Sequence, residues 1–469
     1  MNKLAWIAIS VALAGCAVGP DYRQPKTEMP QTFSSQDSPY VEQEPVAQFW
    51  RVFEDAWLDE LVVHALSFNH DLRIALANLN EARALRRETQ FDRFPTVTAQ
   101  AARQRTRISA DESLTGEVRT ATLNTGSFDA FWELDLFGRV RRNVEASRAS
   151  EQAMVEDLRA AQISVVAEVA RTYFELRGAQ EQFAVAQRNS ENQRETLKIA
   201  QARLDAGRGT EFDTARAESL LNTTLATLPL LNADVENSIH RLSVLIGQQP
   251  IALRTALLPN SALPQLPRLV QIGNPKDLLR RRPDIGAAER RLAAATATIG
   301  VATADWFPRV SFIGEIGFAA SSGDRIGDAA TQTYAFGPSI QWAALDLGRV
   351  QARIRQAEAR EQGAVAAYEQ TVLRALEETE STLTSYRETR RQLDYLFASA
   401  AASRRASELA RKRFDGGAAD FLDVLDSERN QLEVEANLSR ARTAAATRLI
   451  AVYKALGGGW EVLPQTAAK

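Results

Sequence analysis

The sequence has little of what metal, redox and nucleic-acid chemistry require. Its 469 residues include 1 cysteine and 3 histidines, and the histidines (His64, His70 and His240) show no metal-ligand spacing. A single cysteine excludes a disulfide framework, and isolated histidines argue against a zinc site. The net charge of -3 gives no electrostatic basis for nucleic-acid binding. We therefore expect no metal or other cofactor and no nucleic-acid partner.

Catalytic patterns are also lacking. No phosphate-binding loop occurs, and no nucleophile lies near a histidine and a carboxylate in the chain. The run Arg280-Arg281-Arg282 precedes Pro283, and arginine suits a helix C-terminus, so we predict a surface cluster that ends a short helix. The sequence predicts that the protein is not an enzyme.

The only long apolar run lies at the N-terminus. Met1-Asn2-Lys3 precedes Leu4–Ala14, which is too short to span a bilayer and is typical of a secretory signal over 1–15. The end of this run and the two residues after it, Leu13-Ala14-Gly15-Cys16, resemble a bacterial lipobox, so we expect Cys16 to carry diacylglycerol and an N-acyl chain. Ala17 in place of aspartate favours the outer membrane. The alternative is a plain signal peptide with an incidental cysteine.

Prolines are missing between Pro95 and Pro229 and between Pro338 and Pro464. These two stretches are where long helices can run. Prolines concentrate instead in 16–53, where we predict an extended segment, and in 250–276, where we predict a linker.

The two proline-free stretches belong to a duplicated unit. Six pairs of identical residues share an offset of 210: Gly138/Gly348, Arg139/Arg349, Gly207/Gly417, Asp213/Asp423, Glu218/Glu428 and Gly247/Gly457. Upstream, Asp71/Asp284, Ala82/Ala295 and Phe94-Pro95/Phe307-Pro308 share an offset of 213. We predict repeat 1 at 54–249, repeat 2 at 277–459 and a tail at 460–469. Such a duplication favours a tube or ring over a catalytic cleft.

Each repeat is predicted to contain a helix, two strands and a long helical hairpin, which gives a mainly α fold with a small β part. The first helices cover about 54–92 and 284–305. The strands are predicted at about 96–107, 122–136, 309–319 and 333–343, and the helical hairpins at about 139–247 and 349–457. Pro229 is expected to break or kink the returning helix of the first hairpin.

The predicted strands alternate large apolar with small or polar residues. One interpretation is a water-soluble hairpin whose apolar face packs on a core. The other is a barrel whose aromatics face lipid and whose polar groups face water. Four strands are too few to close a barrel, and an open edge is not viable in lipid, so other protomers would have to supply the remaining strands.

The hairpin tips are predicted at 205–210 and 415–420. Glycine ends one helix and Thr210 or Asp420 begins the next, with Asp213 or Asp423 three residues on completing a pattern typical of a capping box.

The motif Asn274-Pro275-Lys276-Asp277-Leu278-Leu279-Arg280-Arg281-Arg282-Pro283-Asp284-Ile285 is the most specific part of a resemblance to the outer-membrane factor (TolC-like) family, in its lipoprotein branch of efflux ducts. Cys16-Ala17-Val18-Gly19-Pro20-Asp21-Tyr22, Phe421-Leu422-Asp423-Val424-Leu425-Asp426 and Tyr453-Lys454-Ala455-Leu456-Gly457-Gly458-Gly459-Trp460 add to it. Arg208-Gly209 departs from the aliphatic residues common at the family's first tip.

The resemblance implies a homotrimer with a twelve-stranded outer-membrane barrel and a twelve-helix periplasmic tunnel. It also implies a periplasmic adaptor and an inner-membrane pump, usually of the resistance-nodulation-division type, and passage of drugs or other small toxic compounds to the outside. Leu422, Asp423 and Asp426 are then expected to line the periplasmic gate. The adaptor is expected to contact the tips at Gly207, Arg208, Gly209, Thr210, Gly416 and Gly417.

Two other functions stay open at this point. A type I protein-secretion exit duct shares the same architecture. A lipid-anchored periplasmic coiled-coil scaffold explains Cys16 and the helices, but it leaves the alternating aromatic strands unexplained.

Overall fold

The computed structural model describes residues 17–34, 39–109, 111 and 120–460, so the predicted signal peptide, Cys16 and most of the predicted tail lie outside the described residues. The fold is mainly helical with a small sheet. The helices are α1 (Ala56–Phe68), α2 (His70–Phe91), α3 (Arg139–Asp205), α4 (Glu211–Leu225), α5 (Leu228–Leu245), α6 (Arg254–Leu257), α7 (Pro275–Arg281), α8 (Pro283–Ala304), α9 (Leu347–Asp415) and α10 (Phe421–Ala455). The strands are β1 (Tyr40–Val41), β2 (Thr96–Arg107), β3 (Thr120–Leu134), β4 (Val270–Gln271), β5 (Arg309–Ala320) and β6 (Gln332–Gln341).

The chain forms two compact units, and each draws on both repeats. The first lies within Met1–Thr27, Ala77–Val155 and Ala287–Gln370, and the second within Glu28–Leu76, Glu156–Gly286 and Thr371–Lys469. Among the helices of the described chain, none is both long and apolar enough to cross a membrane.

The first unit contains a four-stranded antiparallel sheet in the order β2-β3-β5-β6. The register places Phe128 opposite Ile316, and Ile316 opposite Tyr334, so large apolar residues share one face. They are exposed: Tyr334, Phe336 and Ile340 keep 72%, 74% and 69% of their surface accessible. The water-soluble interpretation is therefore wrong, because this face packs on no core within the described chain.

The duplication is visible in a repeated hydrogen bond. The indole Nε1 of Trp132 donates to the carbonyl oxygen of Arg93 at 3.0 Å, and that of Trp342 donates to Trp306 at 3.0 Å. The tryptophans differ by 210 positions and their acceptors by 213. The change of offset therefore lies between positions 93 and 132 of repeat 1, the stretch that includes the paired strands β2 and β3.

The N-terminal segment of the first unit follows the helices, as the extended prediction requires. The buried Arg142 guanidinium donates to the carbonyl oxygens of Val18 and Gly19 at 3.1 and 3.2 Å and to Asp21 at 2.7 Å. Gly19 has a φ of +89° and lies on Gly300, where a Cβ would come within 2.5 Å of the Gly300 Cα. Only glycine fits this crossing.

The second unit holds the larger part of the buried aromatic core. Phe49, Trp50, Tyr173 and Phe174 are fully buried. On α3, residues three and four positions apart form a buried seam of the coiled-coil kind: Ile163, Val166, Ala170 and Tyr173. The short strands β1 and β4 pair in parallel and join the N-terminal segment to the linker. The local sequence of neither strand predicts this pairing.

Three helix and strand boundaries differ from prediction or sharpen it. The prediction of a single helix at 54–92 is wrong, because this stretch forms two helices, α1 and α2. The side-chain oxygen of Asn69 accepts from the backbone N–H groups of Asp71 and Leu72 and caps the start of α2. Strand β3 ends at Leu134, not at 136, because Asp135 accepts from the backbone N–H groups of Val140 and Arg141 and caps α3. The break at Pro229 is confirmed: α4 ends at Leu225 and α5 begins at Leu228.

The prediction of a surface arginine cluster at 280–282 is wrong for two of its members. The Arg280 side chain is 82% exposed, but those of Arg281 and Arg282 are 11% exposed. Arg282 donates to Asp284 at 2.7 Å, to Glu378 at 2.7 Å and to the Ala455 carbonyl oxygen at 3.0 Å. The helix does end there, but the guanidinium joins α8, α9 and α10 because three sets of acceptors surround it.

Candidate functional site

Both hairpin tips in the second unit close with the same backbone geometry. Gly207 and Gly417 have φ values of +70° and +71°. The N–H of Arg208 reaches the carbonyl oxygen of Arg203 at 2.8 Å, and the N–H of Ala418 reaches that of Arg413 at 2.8 Å. This is the Schellman arrangement, which requires a left-handed residue and explains both glycines. A Cβ on either glycine would meet nothing within 4 Å, so the tips are open around them.

The first tip forms the predicted capping box. The hydroxyl Oγ1 of Thr210 accepts from the backbone N–H of Asp213 at 3.2 Å and donates to the Asp213 carboxylate at 2.7 Å. The backbone N–H of Thr210 also donates to that carboxylate, at 3.3 Å. The side chain of Asp213 is therefore committed to the turn.

The capping box predicted at the second tip is wrong. Asp420 precedes α10 but makes no side-chain cap hydrogen bond. The Thr210 hydroxyl also donates to the Asp213 carboxylate, whereas the carboxylates of Asp420 and Asp423 would repel each other at that distance. Within the described chain, no hydrogen bond or ion pair occupies the carboxylate of Asp423.

The three residues predicted for the gate share one exposed face of α10. Leu422 is 42% exposed, and Asp423 and Asp426 are exposed as well. Phe421, Val424 and Leu425 are buried on the opposite side. The only ion pair of Asp426 in the described chain is with the exposed Arg429 one turn on, at 3.2 Å. The carboxylates are thus available to solvent or to another chain.

The corresponding face of repeat 1 has different chemistry. Phe212 and Arg216 occupy the positions of Leu422 and Asp426, and the Arg216 guanidinium lies 5.3 Å from the Phe212 ring. With Asp213 held in its capping box and Arg216 in the place of Asp426, this face has no counterpart of the Asp423 and Asp426 pair. Only the second tip offers the acidic face.

Behind this acidic face, two polar layers join α10 to α3 and α9. In the layer nearer the tip, Glu428 accepts from Thr196 at 2.8 Å and from Arg411 at 2.5 Å. In the next layer, Glu435 accepts from Asn189 at 3.2 Å and from Arg404 at 3.0 Å. Each helix contributes residues seven positions apart, which is the heptad spacing of a coiled coil.

The two buried glutamates titrate in opposite directions. Burial raises the pKa of Glu428, and its bonds to Thr196 and Arg411 offset this only in part. Burial also opposes ionisation of Glu435, but hydrogen bonds from Gln431, Arg404 and Asn189 hold its pKa below the usual range. Sequence reasoning missed both layers; the available signal was the seven-residue spacing of polar residues on each helix, which are Asn189 and Thr196, Arg404 and Arg411, and Glu428 and Glu435.

The structure thus brings Leu422, Asp423 and Asp426 together, and it places Gly207, Arg208, Gly209 and Thr210 at one turn and Gly416 and Gly417 at the other. In the described residues, no group of histidine, cysteine and carboxylate side chains could hold a metal ion. The geometry therefore consists of a sheet with an exposed apolar face, long helical hairpins and an acidic tip.

Comparison with known proteins identifies a family model and relatives that match most of this chain. The family model described as "Outer membrane efflux protein" matches residues 61–248 and 274–458. The solvent efflux pump outer membrane protein SrpC of Pseudomonas putida is 32% identical over 458 residues, which cover 96% of this chain and 97% of that protein. The outer membrane protein OprJ of Pseudomonas aeruginosa is 32% identical, with 97% and 95% covered.

Solved channels have the same fold. The outer-membrane channel OprN is 43% identical with a TM-score of 0.88, and the alignment covers 95% of this chain and 100% of that one. The open state of the MtrE outer membrane channel of Neisseria gonorrhoeae is 30% identical with a TM-score of 0.82, covering 95% and 99%. The chain belongs to the outer membrane efflux protein family. It is an efflux channel protein of the outer membrane.

Proposed function

We propose that three copies of this chain form a closed exit duct that works with a periplasmic adaptor and an inner-membrane pump. The main support comes from the four-stranded sheet, because its outer strands β2 and β6 each keep one unpaired edge in the described chain. Lipid tolerates no such edge, and three copies would supply twelve strands that close on themselves.

The dimensions of the apolar face support this proposal. On β3, the face carries Phe128, Ala130, Trp132 and Leu134 within the nine residues Gly126–Leu134. A membrane-spanning strand needs about 9–11 residues. Beyond this band the same face turns polar, where Arg103 lies opposite Asn124. Trp132 at the other end suits the aromatic girdle at a membrane interface.

Exposed apolar residues on the helices support association of copies. On α9, Leu373 is 61% exposed and Tyr395 80% exposed. Further large apolar side chains are exposed on α1 and α2: Val63, Phe68, Ile74, Leu85 and Phe91. A soluble monomer rarely leaves so many apolar groups in water, so contact with identical copies gives them a place.

The cargo is proposed to be drugs or other small toxic compounds, and the pump to be of the resistance-nodulation-division type. The names of SrpC as a solvent efflux protein and of CusC of Escherichia coli as a cation efflux protein support small cargo over secreted protein. The duct carries cargo through without chemistry of its own. A type I secretion duct is the alternative, and an adjacent exporter gene of the ATP-binding cassette class would favour it.

Channel activity is the direct test of the duct. We expect the purified chain to migrate as a heat-modifiable trimer and to give single-channel conductance steps in a planar bilayer, since a closed barrel encloses a continuous water path. A coiled-coil scaffold anchored by lipid would conduct nothing. Stable monomers without conductance would contradict the proposal.

The acylation of Cys16 remains a proposal, supported by the sequence around the predicted cleavage site. We expect metabolic labelling with palmitate to mark the wild-type chain and to be lost in Cys16→Ser. Trimers are expected to persist at lower yield in this variant, because the strands rather than the lipid close the barrel. Equal labelling of the two chains would end the lipoprotein assignment.

The adaptor is proposed to dock on the two tips. Gly416 is the best probe position, because its φ is not left-handed and a Cβ there would meet its nearest atom at an ordinary 3.4 Å. A cross-linker placed at Gly416→Cys should capture the adaptor's helical hairpin. Absence of such cross-links in an assembled complex would place the contact elsewhere.

A further inference from the structure

The polar face of the sheet contains a hollow of about 490 Å³ with an apolar centre. Phe131 and Ile313 lie directly opposite each other on β3 and β5 and form its floor. Their side chains are large and apolar, yet they are 52% and 46% exposed. Large apolar groups on a water-facing surface are unfavourable unless something covers them.

Small neighbours keep this floor open. Gly337 lies opposite Ile313 on β6, and a Cβ there would meet nothing within 4 Å. Ala335 also lines the hollow. A larger residue at either position would fill the space, so the hollow follows directly from the choice of side chains.

Two carboxylates border the apolar floor. Asp129 and Glu315 are directly opposite each other in the register. They lie two residues along their strands from Phe131 and Ile313 and therefore on the same face. Like charges in opposite positions destabilise a sheet. Asp129 accepts from the Ser127 hydroxyl at 3.2 Å, and in the described part of the chain neither carboxylate has an ion pair.

The cations at this end of the sheet do not relieve the repulsion. Arg139 donates to Glu133 at 2.8 Å, and Arg309 donates to Asp305 at 2.5 Å. The hollow therefore combines two costs, exposed apolar surface and facing negative charges. A single kind of ligand removes both: a cation with an apolar body.

We propose that this hollow is a binding site for organic cations that carry an aromatic or aliphatic body. The site would lie on the lumen wall of the barrel, once in each of three copies, and this placement rests on the proposed duct function. The cationic group would lie between the carboxylates of Asp129 and Glu315, and the apolar body would cover Phe131 and Ile313. A quaternary ammonium group suits this site because the two carboxylates attract its charge without requiring a hydrogen-bond donor from it.

The test uses current block in planar bilayers with three small probes. Benzyltrimethylammonium has the charge and the ring, tetramethylammonium has only the charge, and benzenesulfonate has a ring with the opposite charge. All chains carry Asp423→Ala and Asp426→Ala, so that block at the tip does not contribute. We expect benzyltrimethylammonium to block at about tenfold lower concentration than tetramethylammonium, and benzenesulfonate not to block.

Two sets of variants separate the charge from the apolar floor. Asp129→Asn with Glu315→Gln keeps the shape and should weaken block by both cations about tenfold. Phe131→Thr with Ile313→Thr should remove the advantage of benzyltrimethylammonium and leave block by tetramethylammonium unchanged. Ser339→Ala, on the same face outside the hollow, should change neither. Should the paired carboxylate variant fail to assemble, Glu315→Gln alone should still weaken block about threefold.

The outcomes distinguish the site from the duct. If the background chain and its three variants all form conducting trimers, and both cations block all four equally, the site is overturned and the proposed function stands. A trimer that carries no current would contradict the duct, and the site with it.

Discussion

Replacing Arg282 by alanine is expected to lower the free energy of unfolding by about 2–3 kcal/mol. The buried guanidinium donates to Asp284, to Glu378 and to the Ala455 carbonyl oxygen, so one substitution removes the bonds that join three helices. The cost is set by the loss of charge-assisted bonds, since Asp284 and Glu378 are partly exposed and regain water. Denaturant unfolding of the purified chain, followed by circular dichroism, measures the change.

The same arginine run supplies the control. Arg280→Ala removes a side chain that is 82% exposed and pairs only with Asp277 in the described chain, so we expect a change within about 0.5 kcal/mol. Arg282→Lys keeps the positive charge and should recover some of the lost stability. The recovery should be incomplete, because an ammonium group cannot donate to both oxygens of Asp284 in a planar fork. Equal stability of the Arg280 and Arg282 alanine variants would show that the buried contacts contribute nothing.

Much of the architecture follows from the periodicity of apolar residues and from the positions of proline in the sequence. The absence of proline between Pro95 and Pro229 predicts a helix that the structure places at Arg139–Asp205. Alternation on β5 and β6 predicts strands at 309–319 and 333–343, and they occur at Arg309–Ala320 and Gln332–Gln341. These signals are local, so tertiary packing changes their boundaries by only a few residues.

Features that depend on contacts between distant residues could not be predicted in this way. The burial of Arg282 requires Glu378 and Ala455 to come close, and no local pattern reports that approach. The difference between Asp213 and Asp423 is a middle case. Both occupy the third position of a helix, but Thr210 completes one capping box and Asp420 makes no side-chain cap hydrogen bond at the other. Hydrogen-bond chemistry alone does not predict that difference, because threonine and aspartate are both favourable N-caps.

The free carboxylate of Asp423 has a consequence for conduction. We propose that Leu422, Asp423 and Asp426 of three copies converge at the periplasmic end of the duct, as the exposed acidic face of α10 allows. Six carboxylates around one axis would concentrate cations and exclude anions. Asp423→Ala with Asp426→Ala should therefore reduce the permeability ratio of potassium to chloride several-fold. It should also weaken block by hexamminecobalt(III) by about tenfold or more, as measured in planar bilayers.

A matched carboxylate at the same tip controls for general surface charge. Asp415 is exposed at the end of α9, on the other side of the turn, and Asp415→Ala should leave both measurements within about twofold of wild type because its side chain is outside the acidic face. Asp213→Ala in repeat 1 should likewise leave selectivity unchanged, since its carboxylate is held by Thr210 in the capping box. If the Asp423 and Asp426 double variant keeps wild-type selectivity and block, the constriction lies elsewhere in the duct and this face of α10 does not form it.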